Sequence, residues 1–325
     1  MVMRIVVTGG AGYIGSHAVF ALAEAGHEVV VVDNLARGHR AAVDRRAELA
    51  VVDLRDTPRI ARRLEGAHAV WHFAASSIVS ESVREPLVYW DDNVVASLSL
   101  LRAMQIAGVN RLVFSSTAAT YGIPDVLPIT ESTPQRPINP YGRTKLAIEQ
   151  AIQDVQAADP AFASAILRYF NVVGCAHGLG EDHVPETHIV PILLEVAAGV
   201  RDGFAIFGDD YPTPDGTCVR DYVHVEDLVD AHRLALAALR PGDQRVYNVG
   251  LGTGWSVREL VSATQLVTGR TFPVRVEPRR AGDPPALVTD PARIRRELHW
   301  EPRHRDVASA IAGQWAWMQQ FPEGW

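Results

Sequence analysis

Lysine is almost absent from this chain. Of its 31 basic residues one is lysine, Lys145, and the other 30 are arginine. Basic positions elsewhere tolerate guanidinium, so the retained ammonium marks a position that needs a compact charge with three donors rather than a planar fork. Cysteine is nearly as scarce. Cys175 and Cys218 can build neither a disulfide framework nor a metal site by their spacing, and a reducing, cytoplasmic setting is the simple reading. Long apolar runs are missing too: Gly9, Gly10, Gly12 and Gly15 interrupt the apolar start and Glu24 follows, so neither a signal peptide nor a membrane span is expected. Basic charge is not in excess, with 38 acids against 31 bases and a formal net charge of −7, which argues against nucleic acid or an anionic membrane as partner. What is present is apolar mass. Hydrophobic residues make up 47% of the 325, enough for a sizeable core in about one or two domains.

The first 35 residues read as one β-α-β unit. Arg4 to Thr8 is a short β-branched strand, Gly9 to Gly15 a tight glycine turn, Ile14 to Ala25 a helix and Val29 to Asp33 a buried parallel strand. Glycine suits a sharp turn in which backbone N–H groups approach a pyrophosphate held at a helix N-terminus. Asp33 closes the second strand, where a carboxylate accepts from both ribose hydroxyls of an adenosine and repels a 2′-phosphate, so NAD is expected rather than NADP. Asp53 follows a further strand, Leu49 to Val52, and reads equally as a contact to the adenine edge or as a plain turn. His68 to Ala75 and Arg111 to Thr117 continue the sheet, with a helix from Trp90 to Ala107 between them that Asn93 would open as an N-cap. A Rossmann-type doubly wound parallel sheet follows, with Phe73, Ala74, Ala75, Ser115, Ser116 and Thr117 along the crevice at its carboxyl edge.

Tyr141 and Lys145 stand four residues apart on a helix expected from Pro140 to Ala157, so their side chains share a face. The ammonium, with a positive nicotinamide ring, would favour the phenolate of Tyr141 and bring its pKa below the ordinary value of about 10. Such a tyrosinate takes a proton from an alcohol or sugar hydroxyl. Thr117, at a strand end facing that helix, supplies a hydroxyl to the same substrate oxygen.

The glycine turn, Tyr-x-x-x-Lys and the upstream Thr117 together resemble the extended short-chain dehydrogenase/reductase superfamily. Thr8 to His17, Val32 to Leu35, Asn139 to Lys145, Leu167 to Asn171, Ala205 to Tyr211, Asp215 to His224 and Arg279 to Asp283 extend the resemblance across nearly the whole chain to the UDP-glucose 4-epimerase family. The resemblance implies reversible NAD-dependent C4 epimerisation of UDP-glucose and UDP-galactose, an isomerase reaction through a 4-keto sugar. It places Gly9, Gly12, Tyr13, Ile14, Gly15, Asp33, Asn34, Asp53, Leu54, Phe73, Ala74, Ala75, Asn93, Ser115, Tyr141, Lys145 and Tyr169 at the cofactor. It places Thr117, Tyr141, Asn171, His188, Ile189, Ala205, Phe207, Arg220, Arg280, Asp283 and Leu287 at the UDP-sugar. Arg220 and Arg280 would grip the pyrophosphate bidentately, Ala205 and Phe207 flank uracil, and Asp283 bind the uridine ribose. No metal is implied, and a homodimer through helices near residues 93–107 and 141–157 is.

Departures from the family pattern bear on range. Ser77 stands where many members carry lysine near the cofactor phosphates. Ala118-Ala119 replaces the acid pair with which dehydratases eliminate water, which argues for epimerisation. Leu287 stands where strict members carry tyrosine; leucine leaves more space, so N-acetylated UDP-sugars are expected substrates, although a core role for Leu287 is equally compatible. An epimerase or decarboxylase for UDP-glucuronate, UDP-xylose or UDP-arabinose would share every cofactor motif, whereas a dinucleotide sensor would need neither Tyr141 nor Lys145. The expected division is an NAD-binding Rossmann domain over residues 1–171 and a smaller mixed α/β UDP-sugar-binding domain over 172–325, with 222–249 returning to the first.

Overall fold

Seven strands, in the order β10-β6-β5-β4-β1-β2-β3, form the main sheet of the computed structural model, which describes residues 2–280 and 283–325. They are β1 (Arg4–Thr8), β2 (Glu28–Asp33), β3 (Glu48–Val51), β4 (Ala69–His72), β5 (Arg111–Thr117), β6 (Ala163–Tyr169) and, after three strands outside this sheet, β10 (Gln244–Val249). β1 runs parallel to β2 and β4, β2 to β3, and β4 to β5. Ile5, Val6, Val7 and Val29 to Val32 are buried almost completely, as expected of strands covered on both faces, where side chains pointing either way must be apolar. The chain order reverses between β1 and β4, and the crevice that ligands use in such sheets opens at that point, beyond the strand ends.

The chain divides into two compact units. Met1–Gly122, Pro134–Arg168 and Val229–Tyr247 make the first; Ile123–Thr133, Tyr169–Leu228 and Asn248–Trp325 make the second. Only 229–247 of the segment expected to return lies in the first unit, while the loop 123–133 belongs to the second. The second unit has its own apolar core around Leu193, Leu194, Ile206, Leu260 and Ile311. Its strands are β7 (Asn171–Val173), β8 (Phe204–Phe207), β9 (Val219–His224), β11 (Gly254–Ser256), β12 (Val274–Glu277) and β13 (Ala286–Leu287). β9 pairs with β7, β11 and β13, and β8 pairs with β12.

Two expectations need correction. The strand read from His68 to Ala75 stops at His72, because the chain turns there: the N–H groups of Phe73 and Ala74 both donate to the Thr8 carbonyl, at 2.9 Å and 3.1 Å. The single helix expected from Trp90 to Ala107 is a short helix Pro86–Tyr89, a π-helical turn Trp90–Val95 and a helix Ala96–Ala107. Asn93 therefore sits inside a wide turn and caps nothing. Its amide nitrogen donates to the Ser76 carbonyl and to Thr144 Oγ1, both at 3.0 Å, and its oxygen accepts from the Ser76 N–H at 2.8 Å.

Candidate active site

The glycine turn is shaped by close contact in two places and by an open cradle in a third. A Cβ on Gly9 would lie 2.5 Å from the Ala74 nitrogen, and one on Gly15 would lie 2.0 Å from the Gly9 carbonyl oxygen. Gly12 differs. Its φ of −84° and ψ of 175° suit any residue, and its nearest outside atom would be 3.5 Å from an added Cβ. Protein packing thus gives no reason for glycine at position 12. A Cβ there would occupy the space before the helix Tyr13–Glu24, whose N-terminus carries no side-chain cap and no acid in its first turn. Such a helix end, lined by N–H groups and cleared of side chain, fits the pyrophosphate of a dinucleotide.

Asp33 braces this turn. Its carboxylate accepts from the Ala11 N–H at 3.0 Å and the Leu35 N–H at 2.8 Å, and its remaining lone pairs suit vicinal ribose hydroxyls. Asn34 hydrogen-bonds Asp53. Asp53 itself forms a local turn with the Arg55 N–H at 2.8 Å and an ion pair with its guanidinium at 2.6 Å; the Arg55 bond holds the carboxyl at about 2. Leu54 is buried, Tyr13, Ile14, Ala74 and Ala75 are half-buried, and Tyr169 ends β6. Phe73 packs its ring 4.8 Å from that of His232, and the Ser115 hydroxyl lies 2.9 Å from His232 Nε2. Ser77 is exposed.

The helix Pro140–Ala158 carries Tyr141 and Lys145. Asn139 caps it by accepting from the Gly142 N–H at 2.8 Å, and Pro140 occupies the first turn. A Cβ on Gly142 would approach the Ala119 carbonyl oxygen to 2.5 Å, so glycine lets this helix press on the 3₁₀ turn Ala118–Thr120. That contact joins Thr117 and Tyr141. The Thr117 hydroxyl accepts from the Ala119 N–H at 3.1 Å and so has its own proton free to donate to the phenol oxygen with which it is hydrogen-bonded. Lys145 is buried, donates to the Ser115 carbonyl at 3.0 Å and stands 5.0 Å from the centre of the Phe114 ring.

The protein groups alone, without the nicotinamide charge that the expectation includes, shift both side chains by burial. Tyr141 is raised, to about 12, because burial outweighs the Thr117 hydrogen bond. Lys145 is pushed down to about 7 by burial, against an opposing pull from Glu149, so it supplies only part of a positive charge. The protein groups alone therefore keep the phenol protonated at neutral pH. A folded pKa near 7 against an unfolded value of about 10.4 means that the unfolded chain binds more protons between these limits, so folding stability rises with pH across that window. Lys145→Met removes the penalty. The variant is expected to melt above the parent at pH 7, with the difference shrinking toward pH 10 in cofactor-free protein; a constant difference would contradict the assignment.

Several residues that the sequence reading left out support this group. Glu149, one further turn along the face of Tyr141 and Lys145, is completely buried. It takes hydrogen bonds from Arg168 Nη2 at 2.6 Å, Gln135 at 3.0 Å and the Ser116 hydroxyl. Arg168 also donates to the Tyr121 hydroxyl at 3.0 Å. The i+4 spacing from Lys145 was the available signal. His72, held at about 3 by burial and by Lys145, is neutral. Ser97 donates its proton to the Asn93 carbonyl and so must accept from Nε2–H at 2.8 Å, which leaves His72 Nδ1 to accept from Thr8 at 2.7 Å.

Apart from Thr117 and Tyr141, the residues expected at the nucleotide sugar lie in the second unit. Ala205 and Phe207 share the half-buried face of β8, opposite the core residues Phe204 and Ile206. The Arg280 guanidinium stacks 3.7 Å over the Phe207 ring; Ala281 and Gly282 of the same motif lie outside the described residues. Arg220 donates from Nη1 to the Val219 and Pro284 carbonyls, both at 2.9 Å, which fixes its fork and leaves Nη2 3.8 Å from Asp283. Leu287 pairs in register with Arg220 and is half-buried. Asn171 opens β7 opposite Tyr222, with which its side chain hydrogen-bonds. His188 precedes the helix Ile189–Ala198 and directs Nδ1 to Glu181 and Glu186 at 3.0 Å and 3.2 Å.

Comparison with known proteins agrees with this arrangement. Residues 5–250 match the NAD dependent epimerase/dehydratase family. A UDP-glucose 4-epimerase of Corynebacterium glutamicum is 49% identical over 314 residues, covering 97% of this chain and 95% of that protein. A crystal structure of a UDP-glucose 4-epimerase superposes with a TM-score of 0.95 at 47% identity over 99% of both chains. The UDP-glucose-4-epimerase of Stenotrophomonas maltophila, solved with bound NAD and formylated UDP-arabinopyranose, superposes at 0.94 with 42% identity, over 98% of this chain and 99% of that one. With the glycine cradle, the Thr117–Tyr141–Lys145 group and full-length similarity in agreement, the chain belongs to the NAD dependent epimerase/dehydratase family, among its UDP-glucose 4-epimerases.

Proposed function

We propose that the protein interconverts UDP-glucose and UDP-galactose by C4 epimerisation. The observation that carries this reading is the buried Thr117–Tyr141–Lys145 group beside a dinucleotide-shaped cradle. Gly12, the N-terminus of the helix Tyr13–Glu24, and Asp33 would hold NAD. Bound NAD supplies a hydride acceptor and donor for C4 and a positive ring that favours the phenolate. Tyr141 takes the proton of the 4-hydroxyl and, once the sugar has turned its other face inward, returns it to the 4-keto oxygen. Thr117 donates to the phenol oxygen and so stabilises its anion, and Lys145 fixes the Ser115 carbonyl and adds charge. In the second unit, Arg220 and Arg280 bind the diphosphate, Asp283 the ribose, and Ala205 and Phe207 the uracil. Most binding energy then falls on UDP, which leaves the sugar free to turn and present its other face.

The test is a proton NMR time course of purified protein with UDP-galactose and no added NAD. The anomeric signal of UDP-glucose is expected to grow to a fixed ratio. Conversion of UDP-linked uronic acids or pentoses alone would instead favour a related UDP-sugar enzyme. Half-exposed Leu287, beside Arg220, supports a roomy pocket: UDP-N-acetylglucosamine should also be converted, and Leu287→Tyr should lose that activity before the activity on UDP-galactose. Equal losses on both sugars would count against this role.

The helical surface around the π-turn supports a homodimer. Leu87, Val88, Trp90, Val95 and Leu98 are all exposed, Leu87 to 77%, an apolar cluster of the kind that oligomers cover. Leu87→Arg should turn a dimer into a monomer in light scattering; an unchanged mass would exclude this face.

A further inference from the structure

The segment 181–188 of the second unit gathers four metal-ligating side chains in eight residues. Nδ1 of His183, Nδ1 of His188 and a carboxylate oxygen from each of Glu181 and Glu186 lie within 4.8 Å of one another. His183 stands 3.5 Å from Glu181 and 3.6 Å from Glu186, and His188 stands 3.0 Å and 3.2 Å from the same two carboxylates. A tetrahedral ion with bonds of about 2.0–2.1 Å sets its ligand atoms about 3.3 Å apart, and the four separations, which reach Oε2 of Glu186 from His183 and Oε1 from His188, straddle that edge. The plain alternative is a pair of histidine–carboxylate ion pairs. His183 fits it less well than His188: its buried Nδ1 meets both carboxylates only at 3.5 Å and 3.6 Å, outside hydrogen-bond geometry, although a charge-assisted N–H donor would close to about 2.7–2.9 Å on one acceptor. It faces the space between two carboxylates, as a ligand does.

The four groups are also held from behind. Glu186 Oε1 accepts from the N–H groups of Thr187 and His188 at 2.6 Å and 2.7 Å. The main chain of Glu181 is bracketed by buried Gln314, whose amide donates to the Glu181 carbonyl at 3.0 Å. Outer-shell bonds of this kind fix ligand direction. The two nearly buried carboxylates match the charge of a divalent cation, which takes the place of the protons that they favour on His183 and His188. A set of two imidazoles and two carboxylates suits Zn²⁺ rather than Mg²⁺ or Ca²⁺, which take more oxygen ligands.

We propose that Glu181, His183, Glu186 and His188 form a closed, four-ligand site for a Zn²⁺-class ion. The ion ties residue 181 to the start of the helix Ile189–Ala198 and is structural, since no coordination position is left open. A smaller group, His224, Glu226 and His304, offers three ligands and serves as an internal control.

Untagged protein freed of metal with a chelator is titrated with Zn²⁺ against a chromophoric indicator. The expected result is about one Zn²⁺ per chain, with Co²⁺ giving the intense visible absorption of tetrahedral coordination. Glu181→Gln and His183→Gln should each weaken binding by at least about 10- to 100-fold while far-UV circular dichroism shows them folded; Glu226→Gln should keep the full equivalent. Failure of the parent protein to compete with the indicator, or a weak octahedral Co²⁺ spectrum, overturns the site without recourse to variants. So does binding that survives the Glu181→Gln/His183→Gln pair or disappears in Glu226→Gln, which would place the ion at the other cluster.

Discussion

Tyr141→Phe is expected to lower kcat on UDP-galactose by about 10²- to 10⁴-fold, the usual worth of a positioned acid–base group, with UDP affinity unchanged. The side chain is buried against Thr117 and the ring of phenylalanine fills the same volume, so the lost hydroxyl is the only large change. The pH dependence gives a second readout. Since burial holds the phenol at about 12 in the protein alone, the active base exists only where cofactor charge and Thr117 favour the anion, and kcat/KM should fall as pH is lowered. That limb should vanish in the variant. Near-normal turnover by Tyr141→Phe would remove Tyr141 as the base and leave Thr117 as the residue to examine.

The second large effect concerns stability. Arg168→Met strips the Glu149 carboxylate, which has no exposed surface, of its charged partner and leaves it only Gln135 and Ser116. Uncompensated burial of this kind costs about 3–5 kcal/mol, to be read as a drop in the midpoint of denaturant unfolding at constant slope. Glu149→Met/Arg168→Met should recover part of the loss, because neither charge is then buried alone. Activity should fall with stability in the single variant, since Glu149 lies on the helix that carries Tyr141 and Lys145. A loss below about 1 kcal/mol, the range of exposed pairs, would mean that water reaches the pair.

These expectations rest unequally on sequence. The glycine turn, Asp33 and the Tyr141–Lys145 spacing are legible because each depends on neighbours a few residues away: a strand end, a helix start, one helical turn. The sheet is legible for the same reason, since buried parallel strands write themselves as runs such as Val29 to Val32. Glu149 with Arg168, His72 with Ser97, and Asn93 with Thr144 are not, because each pair meets only when distant elements pack. The π-turn at Trp90–Val95 holds one such contact, Asn93 with Ser76 and Thr144. Burial is likewise a property of the assembled fold, so the rise that it imposes on Tyr141, against which Lys145 and the cofactor charge would act, is not written in the sequence. The loop 123–133 joins the second unit through partners such as Glu131, which accepts from the Asn248 N–H at 2.8 Å, more than a hundred residues away.

The burial of Lys145, 3% exposed, in a chain with no other lysine makes the protein its own labelled probe. Protein grown on lysine carrying ¹⁵N at the ε-position would give one side-chain nitrogen signal, arising from the active site without assignment or background. Amine-directed dyes and cross-linkers would find no lysine on the surface, which leaves the buried ammonium of Lys145 untouched.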